Sequence, residues 1–344
     1  MTPDISNETQ RVVYLDILRV IATIGVIFLH VSCREYYSAF ISYNWYLAAI
    51  NGSLVRWSVP IFVMISGALF LNPAKEISIR DLLTKKIPRL LMAYIFWWII
   101  YSAIMTFSSL FFGDIIGLPF SYDFLAPHFH LWFLPMLMGV YLLIPFLRKI
   151  AADDKLLRYA LIIWIVYLVG NFFLKIDIPQ ITPLFNMNTI LGYTGYFLLG
   201  YYLSKISLSL KKQRILYLMG ILGAGLTIAG CIIFSIHDGE SNGRFLNTLS
   251  IFVVFMTAAL FVFIKEISPK FEKTTVRFVE YVRYDLFGIY LTHAVWLTVL
   301  NRFVIRNLCN QAITIPLITI AVFVLSLYTT KLIRKIPFFK KFVQ

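Results

Sequence analysis

Long apolar runs, each about as long as a bilayer crossing and each ended by a short polar or charged segment, make up most of the chain. A transmembrane helix needs about 20 mostly apolar residues. Ten stretches meet that length: Val12–Ser32, Tyr46–Leu71, Arg89–Phe112, His130–Leu147, Leu156–Leu174, Met187–Leu203, Ile215–Ile236, Phe245–Ile264, Tyr284–Val304 and Ala312–Ile333. A β-barrel strand alternates apolar with polar positions, whereas Ile95-Phe96-Trp97-Trp98-Ile99-Ile100 is apolar at every step. The pattern predicts an all-α, polytopic membrane protein of about ten transmembrane helices, forming a single membrane-embedded domain over residues 1–344.

Composition excludes the main alternative. Hydrophobic residues make up 60% and charged residues 14% of the chain, about half the charged share of a soluble domain. The net charge of +14 would suggest nucleic acid in a soluble protein, but in a membrane protein it marks sidedness, because cations gather on cytoplasmic loops. With the N-terminus inside, 24 of the 31 Lys and Arg fall on inward loops and tails, five fall on outward loops, and Arg19 and Arg56 lie within spans. This split predicts that both termini are cytoplasmic; the partners are then membrane lipids and not nucleic acid. Cys33, Cys231 and Cys309 show no metal-ligand spacing. Cys33 and Cys309 share the outer side, but ordinary small residues are favoured over a disulfide between them.

Ionisable groups inside spans cost a few kcal/mol each and are functional candidates by default. Arg19 and His30 are eleven positions apart in the first span, which returns to within about 20° of the same helix face, and Asp16 lies within about 40° of His30. At 1.5 Å per residue the stripe from Arg19 to His30 covers about 16 Å, enough to line a polar path across much of the membrane. The plainer reading makes Asp16 and Arg19 an i,i+3 ion pair and His30 an interfacial residue. Arg56, about ten residues into the second span, is expected near the midplane. There it suits an anion or a polar acyl or phosphate group, or alternatively the carbonyls of a broken helix near Pro60. His293 reads first as a helix-to-helix hydrogen bonder. His128 and His130 precede Trp132 at an interface where aromatic anchors are expected, and with no Cys, Asp or Glu at close spacing they give no metal site. The inward loop from Lys75 to Arg89 is basic, and Lys86-x-x-Arg89 sets two cations on one face at the start of the third span, a dock for a nucleotide phosphate as well as a positive-inside signal.

Together these residues resemble a known family. Asp16-x-x-Arg19, ten residues and then His30, the segment Val59-Pro60-Ile61-Phe62-Val63-Met64-Ile65-Ser66-Gly67, His130-Leu131-Trp132-Phe133-Leu134 and Tyr290-Leu291-Thr292-His293 occur in an order similar to that of integral membrane acyltransferase family 3, in its short ten-span bacterial form. The resemblance implies transfer of an acyl group, most often acetyl, from cytoplasmic acyl-CoA to a carbohydrate hydroxyl across the inner membrane. Acyl-CoA is the co-substrate and no metal takes part. His30 is then the catalytic histidine and Arg19 its paired arginine; Lys86 and Arg89, with Arg56, serve the cofactor. Asp16, His130, Trp132 and His293 support the substrate or the site. Where the family has Arg-x-x-Arg, this chain has Lys86-x-x-Arg89, which keeps the charge but loses one bidentate fork. A second copy of the chain and the polysaccharide-synthesis machinery are the protein partners such an enzyme admits.

The chemistry fits that implication. A sugar hydroxyl attacks a thioester poorly unless a base takes its proton, and imidazole changes charge near neutral pH. The oxyanion formed then needs a cation or an N–H donor. A covalent acyl-histidine remains open beside direct transfer. An acidic partner for His30 is expected among Glu35, Asp114, Asp123, Asp238 and Glu240. The competing class is a secondary transporter or flippase for a polysaccharide precursor. Proton-coupled carriers place Asp or Glu in mid-span, and spans two to eight and ten contain none.

Overall fold

The computed structural model describes residues 13–36, 40–112, 130–174, 186–303 and 311–343. Among them every regular element is helical: α1 (Val13–Ser32), α2 (Tyr43–Leu54), α3 (Ser58–Phe70), α4 (Ile79–Asp81), α5 (Ile87–Phe112), α6 (Phe133–Ala152), α7 (Asp154–Leu174), α8 (Met187–Lys205), α9 (Leu210–Asp238), α10 (Ile251–Ile267), α11 (Lys273–Val282), α12 (Leu286–Phe303), α13 (Gln311–Lys335) and α14 (Pro337–Lys340). Eight helical stretches among these residues are long and apolar enough to cross a membrane. Of the other two predicted spans, α8 falls short because Asn188, Thr189 and several tyrosines dilute it, and α12 is an apolar helix over Leu286–Leu300, beyond which the side chains lie outside what is described.

α1 is the central helix. It packs against α2, α3, α10, α11, α12 and α13, and Leu18, Ala22 and Ile27 on it are almost fully buried. Apolar faces of the outer helices point away from the protein, as with Ile162 and Val166 on α7, Ile221 on α9 and Ile320 on α13. This inversion of the soluble pattern suits a hydrocarbon surround. The ionisable groups of α1 consequently face protein.

Two details correct the sequence reading of the second span. The run Tyr46–Leu71 is not one helix but α2 and α3, separated by a turn at residues 55–57. Pro60, with no N–H to give, occupies the first turn of α3, where that loss is harmless. Carbonyls freed by the break are satisfied locally: Trp57 Nε1 donates to Leu54 O at 2.7 Å and Ser58 Oγ to Val55 O at 2.7 Å. Arg56 therefore sits in a turn rather than on a helix face. It reaches the Cys33 sulfur at 3.6 Å through Nη2.

Two cations near the ends of α10 and α6 close the C-termini of other helices, whose last carbonyls lack intrahelical partners. Lys265 Nζ donates to the carbonyls of Leu203, Ser204 and Ile206 at 2.9, 3.0 and 2.7 Å, closing α8. Arg148 does the same for α3 through Phe70 O at 2.7 Å.

Candidate active site

Helix α1 presents Arg19, Val26 and His30 to one cavity of about 340 Å³. Their spacing of seven and then four residues keeps them on one face. Across from α1, α3 contributes Val59, Phe62 and Ser66, the start of α6 brings Trp132 and Phe133, and α12 brings Phe287 and Tyr290. Lys86, Arg89 and Arg283 line the opposite end from His30, beside Arg19. Since Arg19 and His30 both line it, the cavity runs about 16 Å along α1.

At the His30 end, three rings from three distant segments meet. His30 Nδ1 lies 2.8 Å from His293 Nε2, and the two rings are nearly parallel. His293 Nδ1 is 2.5 Å from the Tyr290 carbonyl. A carbonyl oxygen can only accept, so His293 Nδ1 carries the proton; in a neutral ring its Nε2 is then the acceptor. His30 must donate from Nδ1, which leaves the lone pair of neutral His30 on Nε2. His130, almost fully buried, sets its ring edge-on to His293 at 5.2 Å and to Tyr101 at 4.8 Å, and its carbonyl accepts from the Tyr290 hydroxyl.

Asp16 organises the other end. Buried near the start of α1, it accepts from Arg19 Nη1 at 2.7 Å and lies 3.8 Å from Arg283 Nη1. One carboxylate thus holds two cavity cations, Arg19 on α1 and Arg283 in the turn after α11. Arg283 also stacks over Tyr284, and its buried Nε makes no hydrogen bond among the described residues. Lys86 ends a π-helical turn, Leu82–Lys86, just before the apolar body of α5, and feels Lys75 and Arg89 as like charges. Lys86 and Arg89 are exposed at the mouth. Such a concentration of cations favours an anionic ligand.

The structure brings together Arg19, His30, Lys86, Arg89, His130 and Trp132 as cavity lining, with Asp16 and His293 immediately behind it. Arg56 does not line this cavity. The helix break that moved it into a turn is the physical reason. Asp285 is occupied by Arg334. Of the acids expected to orient His30, Asp114, Asp123 and the side chain of Glu35 lie outside what is described, as does His128, and Asp238 is bonded to His237 and Asn242. Among the described residues, the bond at His30 Nδ1 is to the His293 imidazole. Sequence reasoning misses Arg283, which is hidden among the loop cations that mark sidedness. The signal that singles out Arg89, a cation at the first turn of an apolar run, applies to it equally. Among the described residues no three His, Cys, Asp or Glu side chains converge as a metal site requires.

One cavity joins His30 to a cationic mouth, an arrangement that suits group transfer. The family model of acyltransferase family 3, described as an acyltransferase domain, matches residues 12–331. The chain belongs to acyltransferase family 3. The match runs from the first predicted span into the last, so it covers every segment that builds the cavity. Searches of curated proteins and of solved structures found no match. The family 3 chain is thus an acyltransferase and a multi-pass membrane protein, and the transporter reading gives way.

Proposed function

We propose that this enzyme transfers an acyl group, acetyl in the first instance, from cytoplasmic acyl-CoA to a hydroxyl of a cell-surface or secreted polysaccharide or its lipid-linked precursor, in the cell inner membrane. The observation that carries the reading is the single cavity joining the Lys86, Arg89 and Arg283 mouth to His30. A nucleotide-bearing thioester is polyanionic at one end and reactive at the other, with an extended arm between. Cations at the mouth receive the phosphates. The apolar and aromatic walls hold the arm, and the thioester carbonyl comes to rest beside His30.

His30 Nε2 takes the proton from the acceptor hydroxyl as its oxygen attacks the thioester carbon. The C–O bond forms, the carbonyl becomes an oxyanion, and collapse breaks the C–S bond. The imidazolium returns its proton to the departing CoA sulfur, so His30 ends neutral. His293 acts as a positioning residue: it fixes the tautomer that puts the basic nitrogen on Nε2. Arg19, about 16 Å along α1 from His30, is too far to reach the reacting carbonyl and serves the donor arm. Trp132, whose indole N–H can only donate, is a neutral donor lining the cavity two residues from His130, suited to the oxyanion.

The test is release of CoA by purified protein in lipid nanodiscs, given acetyl-CoA and the envelope glycans of a strain lacking this gene. Wild type should release CoA and place acetyl esters on the glycan. His30→Ala should lower the rate by about 10³-fold with the thermal unfolding midpoint unchanged. Wild-type turnover in that variant would sink the assignment of His30.

A further inference from the structure

A second cavity, of about 490 Å³, lies between the last turns of α7 and α9 and the segment leading into α10. It sits at the end of the bundle that carries His30. Tyr36, six residues beyond His30, donates from its hydroxyl to Asn242 O at 2.7 Å, and Trp45 Nε1 donates to Ser241 Oγ at 2.9 Å. These bonds tie the wall of the cavity to the chain that leaves α1.

The chemistry of this wall differs from that of the cationic mouth. Asn171, Asn242 and Asn247 offer carboxamides, Asp238 a carboxylate and Arg244 a guanidinium, with Phe172 and Phe234 beside them. The charges of Asp238 and Arg244 offset one another, and His237 lies 3.0 Å from the Asp238 carboxylate, so the wall carries no surplus of cations like that at the mouth. The polar groups are held in place before any ligand arrives. Asn242 donates to Asp238 and accepts from Arg244 N at 2.8 Å. Arg244 donates to the Phe172 carbonyl and lies 5.0 Å over its ring. Asn247 Oδ1 accepts from Leu249 N at 2.9 Å. Prior fixing of side chains lowers the entropy lost on binding.

Neutral sugars present what such a wall matches. Neighbouring hydroxyls are each donor and acceptor, which planar amide, carboxylate and guanidinium groups meet in pairs, while the C–H face of a pyranose lies flat on an aromatic ring. We propose that this cavity is a glycan-binding subsite that holds uncharged sugar units of the acceptor while a hydroxyl further along the chain reaches His30. The proposal rests on the acyl-transfer reading above. It adds the place where the acceptor is gripped.

The test uses the full-length protein in nanodiscs and the glycan fraction from the envelope of a strain lacking this gene. In Asn171→Ala and in the isosteric Asp238→Asn, the glycan concentration for half-maximal CoA release should rise about tenfold, with the half-saturating acetyl-CoA concentration unchanged. Unchanged glycan dependence in both variants overturns the subsite. If one variant does not fold, the other decides. If wild type transfers nothing to this fraction, the acyl-transfer reading fails separately, and the cavity is judged by direct binding of the fluorescently labelled fraction. Binding by wild type that weakens about tenfold in the variants supports the subsite; equal binding, or none by wild type, overturns it.

Discussion

Replacing His293 separates the positioning of a base from the chemistry it performs. With alanine there, His30 Nδ1 loses its acceptor at 2.8 Å, and the tautomer with the proton on Nε2, which cannot act as a base from that nitrogen, gains population. kcat should fall about 10²-fold, less than for loss of the base itself, while the acetyl-CoA KM stays within about twofold. Glutamine can set its Oε1 near the former Nε2, so His293→Gln should recover at least about a tenth of wild-type kcat. A merely structural role predicts no such rescue, and wild-type kcat in His293→Ala would remove the positioning role altogether. At this scale the sequence is legible only where residues share a helix. Arg19 and His30 declare themselves by spacing along α1. The partner of His30 does not, because it lies 263 positions away and its meeting with α1 depends on the packing of α12. His293 reads in the sequence as a helix-to-helix hydrogen bonder, which it is, but no pattern there names the histidine it meets.

Between elements, the tightest constraint on the site is the contact of α3 with α8. A Cβ built on Gly67 would stand 1.8 Å from the Phe197 carbonyl oxygen, and one on Gly200 would stand 2.1 Å from the Met64 oxygen. Backbone meets backbone there, the close approach that small residues permit between membrane helices. Neither helix can yield by turning a side chain, so Gly67→Ala must push α3 from α8. The penalty should be at the upper end of the ~1–3 kcal/mol typical of overpacking. Because α3 supplies Val59, Phe62 and Ser66 to the cavity, activity should fall together with the unfolding midpoint. Gly225, where an added methyl would meet nothing within 4 Å, is the control: its alanine variant should match wild type in both. A Gly67→Ala protein as stable and active as wild type contradicts the close contact. Segment patterns are enough to find the helices, since apolar runs of this length leave few alternatives in lipid. The break at residues 55–57 escapes them, because Val55, Trp57 and Val59 keep the run apolar through a turn and only Pro60 hints at it.

For the molecule as a whole, both cavities acquire direction from the charge distribution. Lys75, Lys86 and Arg89 belong to the basic side that the 24-to-5 division of loop cations predicts to be cytoplasmic, and acyl-CoA is made in the cytosol. The residues around Asn242 and Asp238 are tied through Tyr36 to the far end of α1, where an envelope glycan would arrive. If the two ends face opposite compartments, the cavity from Arg89 to His30 carries the acyl group most of the way across the bilayer while the polyanionic nucleotide never leaves the cytoplasmic side. That geometry avoids the cost of moving its charges through hydrocarbon, which runs to several kcal/mol for each. Sidedness can be read directly. In a variant with Cys33, Cys231 and Cys309 replaced by serine, a single cysteine at Lys75 and another, in a separate protein, at Ser241 are exposed to a membrane-impermeant maleimide on intact cells. Ser241→Cys should label in intact cells, and Lys75→Cys only after the membrane is opened. The reverse pattern would put the mouth of the cavity on the side where acyl-CoA is absent, and the proposed path of the acyl group would have to be abandoned even with His30 retained as the base.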